Sequence, residues 1–144
     1  MNGGMEKYVW YLCHELAKAG ISVGVICEQI DTHPVNDLEI HIVPRVSAKH
    51  RWEQLSNFSY AVDELVRDLS ASAYDTIFHS HERSLNHHVT TFHGPPFTPQ
   101  GIEKLLLRNS RRHKTWKEME RRELFGPNVR QITTVSKNLK NQLF

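Results

Sequence analysis

Five of the ten histidines in this 144-residue chain fall within fifteen positions: His79, His81, His87, His88 and His93. Imidazole changes charge near neutral pH and is the commonest metal ligand, so such crowding could serve proton chemistry or a metal ion. His79 and His81 stand two apart, which puts both on one face if the segment is a strand. Against zinc, the spacing offers no closed set of four ligands, no cysteine support and no HExxH pair, and no metal is expected. The remaining readings are a polar pocket at strand ends, or histidines that serve loop starts as hydrogen-bonding residues.

A second constellation opens the chain. Asn2-Gly3-Gly4-Met5-Glu6 is a glycine turn leading into a helix. Free N–H groups and the helix dipole there favour an anion such as phosphate, although an ordinary tight loop would look the same. A third lies between Lys104 and Arg122, where eight Lys or Arg face Glu118 and Glu120, a balance of +6. The whole chain is only +2, so the remainder carries −4. A basic helix with a partly apolar face (Leu105, Leu106, Trp116) reads as a solvated charged face or a membrane-surface element. No recognition module accompanies it, so nucleic acid is not expected.

The elements that must position these groups alternate. Met5, Tyr8, Val9, Leu12, Leu16 and Ala17 recur at helical spacing, and Gly20 stops them. Strands are predicted at Ile21–Cys27, Leu38–Val43, Tyr74–His79, His88–His93 and Val129–Val135. Turn residues fill Asp31 to Asp37, a second helix is predicted over 52–70 and a third over about 99–124, and Ser136 is placed to cap a last one. This alternation implies a three-layer α/β domain with a mostly parallel sheet, spanning 1–144 as a single domain. His79-Ser80-His81-Glu82-Arg83 and Thr90-Thr91-Phe92-His93-Gly94 then both lie at carboxyl ends of strands, where open α/β sheets bind ligands. Only about eight residues separate those two strands, short of the dozen a parallel crossover normally needs. Either they form a hairpin, or one lies outside the main sheet.

Composition agrees with a globular domain: 39% of residues are hydrophobic and 24% charged. No apolar run approaches the roughly 18 residues that cross a bilayer. Nor does the N-terminus look like a secretory signal. Cys13 and Cys27, far apart in apolar runs, read as buried thiols of a reducing compartment, and a cytoplasmic location is expected.

Taken in order, the motifs resemble family 4 retaining glycosyltransferases. Gly3-Gly4-Met5-Glu6 resembles the family's GGxE turn, followed by its helix (Leu12, Leu16, Gly20) and its strand from Ile21. Asp75-Thr76-Ile77-Phe78-His79-Ser80-His81 resembles its D-h-h-H-x-H strand (h, hydrophobic), Thr90 to Gly94 its T-x-H-G strand end, and Val135-Ser136-Lys137-Asn138-Leu139 its V-S-x-x-L. The resemblance implies a Rossmann-like half of a two-domain GT-B architecture, the half that mainly binds the acceptor. It further implies that Gly3 and Gly4 approach the diphosphate of a nucleotide-sugar donor and that His93 sits beside the transferred sugar as the catalytic position. His81, Glu82 and Arg83 would line a glycan or lipid-linked acceptor. The basic helix (Arg108, Arg111, Arg112, Lys114, Lys117) would touch an anionic membrane peripherally, and no metal or other cofactor is implied.

Three departures accompany the resemblance. The usual first strand before Gly3 is lacking, the E-x7-E donor-binding domain is absent, and the link from His81 to His88 is short. Transfer needs donor phosphate and acceptor held together, so a fragment with little or no activity of its own is expected. The alternative is a stand-alone phosphate- or sugar-binding module without catalysis.

Overall fold

The computed structural model describes residues 3–30, 38–72, 75–97 and 110–143. The turn expected at Asp31–Asp37, the beginning of the third helix (99–109, with Lys104 and Arg108) and Tyr74 lie outside the described residues. The chain divides into two compact units, Met1–Arg45 and Val46–Phe144.

In the first unit, helix α1 runs Gly4–Lys18 with Gly3 as its extended N-cap. Glu6 lies in the first turn, where its charge complements the dipole, and a Cβ at Gly3 would collide with its carboxylate. The helix ends as its residues dictate. Gly20 adopts φ +82°, Ile21 N–H donates to Leu16 O at 3.1 Å and Gly20 N–H to Ala17 O at 2.9 Å, the Schellman pattern. Strands β1 (Val23–Cys27) and β2 (Leu38–Ile42) pair in parallel, Val23 opposite Leu38 and Cys27 opposite Ile42. Both cysteines are free thiols, half-buried rather than buried as the sequence implies, and partial burial pushes each thiol pKa up.

In the second unit, helix α2 (Arg51–Ser72) carries the predicted apolar spacing and buries Ser59, Val62 and Val66. Strands β3 (His79–Ser80), β4 (Val89–Phe92) and β5 (Gln131–Thr134) form a parallel sheet in that order. Helix α3 (Arg111–Phe125) is capped by Ser110, whose Oγ accepts the His113 N–H at 3.1 Å. It stops at Gly126, where a Cβ would sit 2.6 Å from Arg122 O, so only glycine fits without displacing backbone. Helix α4 (Lys137–Leu143) is capped as expected: Leu139 N–H donates to Ser136 Oγ at 3.1 Å.

Fold class is as the sequence implies, α/β with parallel strands throughout, but two details differ. β3 and β4 are neither a hairpin nor in separate sheets: they pair in parallel, His79 with Val89 and Ser80 with Thr90. Eight residues suffice because β3 is only two residues long, so the chain returns along roughly 7 Å of strand. The reason β3 begins so late is visible at Phe78. Its N–H donates to the His88 Nδ1 at 3.1 Å, so a side chain takes the place of a ladder carbonyl, and Ile77 before it is exposed. Among the described residues, no helix is long and apolar enough to cross a membrane.

Candidate functional site

The carboxyl ends of β3 and β4 bring three of the clustered histidines together. His81 Nδ1 lies 3.1 Å from His93 Nε2, one proton bridging them from whichever ring carries it. The ring centroids of His79 and His81 are 4.2 Å apart, and those of His81 and His93 5.4 Å. Burial, and then the neighbouring imidazoles of His79 and His93, push the His81 pKa down to about 3. His81 is therefore a neutral ring at physiological pH, able to donate from one nitrogen and accept at the other.

Beside the pair, a relay of hydroxyls fixes the tautomer of His79. Thr133 Oγ1 donates to Thr90 O at 3.1 Å, so its lone pair accepts the Thr91 hydroxyl at 2.6 Å. Thr91 must then accept from His79 Nε2–H at 2.7 Å. Thr90, next along β4, points to the other face of the sheet and donates to Glu123 Oε1 at 2.8 Å.

That opposite face is a buried ionic network. Glu123, 2% exposed, meets Arg83 Nε at 3.7 Å, and Glu120 Oε2 meets Arg83 Nη1 at 3.2 Å. The Arg83 guanidinium lies 5.1 Å above the Trp116 ring, and Phe97 stacks on the same indole at 5.8 Å. Glu123 Oε2 and Arg83 Nη1 are buried without an aligned hydrogen bond, so their attraction is coulombic. Burial pushes the Glu123 pKa up to about 7, against the pull of the Thr90 hydroxyl and Arg83. His87, also 2% exposed, donates its Nε2–H to Glu123 O at 3.0 Å and faces Ser84 Oγ at 3.4 Å.

Of the residues singled out in the sequence, His81 and His93 thus meet at one point. Arg83 follows His81 by two positions but spends its guanidinium on the carboxylates of α3 and on Trp116. Glu82, between them, accepts the Ser84 N–H at its main-chain oxygen at 2.7 Å. Gly3 and Gly4 form the N-terminus of α1 in the first unit. Arg111, Arg112, Lys114 and Lys117 are exposed on α3, while Arg108 lies outside the described residues. His87 and His88 turn their nitrogens to Ser84, Glu123 and Phe78. Among the described residues, no group of three or more His, Cys, Asp or Glu side chains is arranged to hold a metal ion.

Sequence reasoning missed Glu120 and Glu123. They sit on α3, Glu120 inside the basic segment and Glu123 just beyond it, and that segment reads as a solvated charged face or a membrane-surface element. A signal was present: His113, Trp116, Glu120 and Glu123 recur at helical spacing, and none of them is a lysine or arginine. No curated protein matches the sequence. The model of Glycosyltransferase Family 4, however, matches residues 2–144, nearly every position including the glycine turn and both histidine-bearing strand ends. The chain, a parallel α/β fold, belongs to glycosyltransferase family 4.

Proposed function

We propose that this chain supplies the acceptor-side half of a retaining glycosyltransferase. The enzyme would move a sugar from a nucleotide-sugar donor onto a glycan or lipid-linked acceptor, at the cytoplasmic side of a membrane. The observation that supports this most is the His81–His93 pair at the ends of adjacent parallel strands, with N···N 3.1 Å and the His81 ring neutral. Glycosyl transfer passes through an oxocarbenium-like transition state whose positive charge a neutral imidazole does not repel. In this reading His93 lies beside the transferred sugar and positions the reacting centre through its ring or main chain. Gly3 and Gly4 offer the N–H groups of α1 to the donor diphosphate. His81 and Glu82 line the acceptor, and Arg83 carries their loop. Arg108 and the exposed Arg111, Arg112, Lys114 and Lys117 meet anionic lipid headgroups. The reading calls for no metal.

The test mixes the chain with radiolabelled nucleotide sugars and lipid-linked acceptors, with and without a separately expressed donor-side domain. Transfer is expected only with both halves, with the anomeric configuration retained and turnover lowered roughly 100-fold by His93→Ala. Sugar or phosphate binding without transfer in any combination would instead favour a stand-alone binding module.

A further inference from the structure

Two loops leave the carboxyl ends of β3 and β4. One begins at His81 and the other at His93, and the 3.1 Å between their ring nitrogens depends on how those loops are held. Both loops end on the same carboxylate oxygen of α3. Glu120 Oε2 meets Arg83 Nη1, two residues after His81, at 3.2 Å, and accepts the Phe97 N–H, four residues after His93, at 2.6 Å. One turn earlier on the helix, Trp116 repeats the arrangement, with Arg83 over its ring and Phe97 stacked against it. Ser59 Oγ, which donates to Arg83 O at 2.7 Å, and His87 each hold the first loop alone. Glu120 is where the two loops join.

We infer that Glu120, acting through Arg83 and the Phe97 main chain, is the positioning residue that sets the spacing of the His81–His93 pair. The inference rests on that pair being the site proposed above. The chemistry at position 120 is specific. One carboxylate oxygen accepts the Phe97 N–H and by its charge attracts the Arg83 guanidinium; a glutamine oxygen would keep the first contact and lose the charge behind the second, and an apolar side chain would lose both. The Glu120 side chain is 15% exposed and that of Arg83 17%, so little water screens or replaces the contact. An N–H···N bridge of 3.1 Å is lost if the loops separate by about 1 Å.

The test uses the full chain labelled with 15N and reads the coupling between His81 Nδ1 and His93 Nε2 transmitted across their hydrogen bond, at pH 7.5. The wild type is expected to show it. Glu120→Ala and Arg83→Met are expected to abolish it while the His87 imidazole, bonded to the Glu123 carbonyl, keeps its tautomer. Met119→Ala, which empties a buried neighbour on the same helix, is expected to lower stability and leave the coupling intact. If Glu120→Ala does not fold, Glu120→Met, which fills the space without an acceptor, is judged by the same criterion. Coupling that persists in a folded Glu120 variant, or disappears equally in Met119→Ala, overturns the positioning role alone. A wild type without the coupling overturns both this inference and the observation beneath the proposed function.

Discussion

Residues 1–45 and residues 46–144 build their interiors from different material. In the first unit Val43 is the one buried side chain among the described residues, and α1 buries none. In the second, among the described residues, five apolar side chains are buried (Val62, Val66, Phe92, Met119 and Leu139) together with eight polar or charged ones. Apolar contacts tolerate small displacements, whereas a buried carboxylate or imidazole must meet its partner within a few tenths of an ångström. The unit rich in buried polar groups is also the one that holds the histidine pair. Its interior fixes geometry, while the described part of the first unit holds together through half-buried apolar contacts.

The strongest way to break this contrast is to remove a cation from the second interior. Arg83→Met leaves Glu120 and Glu123 without their counter-charge and is expected to cost about 3 kcal/mol, measured by urea unfolding at pH 8. Glu123 sharpens the contrast through pH. Its folded pKa, about 7, lies above the 4.5 of an ordinary glutamate, so the folded state binds the proton more tightly. Its contribution to stability is therefore fully present below about pH 4.5 and lost as pH rises towards 7, amounting to roughly 3 kcal/mol. His81 acts oppositely, since its neutral buried ring resists protonation as pH falls from 6.5 towards 3. Glu123→Gln should remove the first slope and leave the second, so the variant loses stability more steeply than wild type between pH 6.5 and 4.5. In the first unit the expected effect is smaller and of another kind. Gly20→Ala places a side chain at φ +82° and should cost about 1 kcal/mol, with nothing to collide with, since no atom lies within 4 Å of that Cβ. A loss at Gly20 exceeding that at Arg83 would reverse the ranking of the two interiors.

Elements whose apolar residues repeat at one period were legible in the sequence. α1 with its Gly20 stop, α2, and α4 under Ser136 all form where the pattern predicts them. The strand at Tyr74–His79 was over-read, because alternation cannot reveal that His88 would claim the Phe78 N–H. The histidine-bearing strand ends were legible too, since both position and residue type pointed to them. The carboxylates behind them were not. Periodicity methods look for apolar stripes, and the inner stripe of α3 includes His113, Glu120 and Glu123 among its members. Arg83 enters the acceptor set by resemblance alone, and its ionic partners, 37 and 40 positions away on α3, could not be read from its own segment.

The short return from β3 to β4 bears on how the second unit assembles. His79 pairs with Val89, ten positions on, whereas Val89 pairs with Gln131 across forty-two. Closing the shorter loop sacrifices less chain entropy, and parallel pairing is slow chiefly because its loops are long. The expected order in folding is therefore β3 against β4 first, with β5 adding later; pulse-labelled amide exchange should show Val89 protected before Gln131. On that timetable His81 and His93 are neighbours early, in a nascent chain that has yet to complete α3. The helix then arrives to find the two loops already near one another, and what remains is to lock a distance rather than to create a contact.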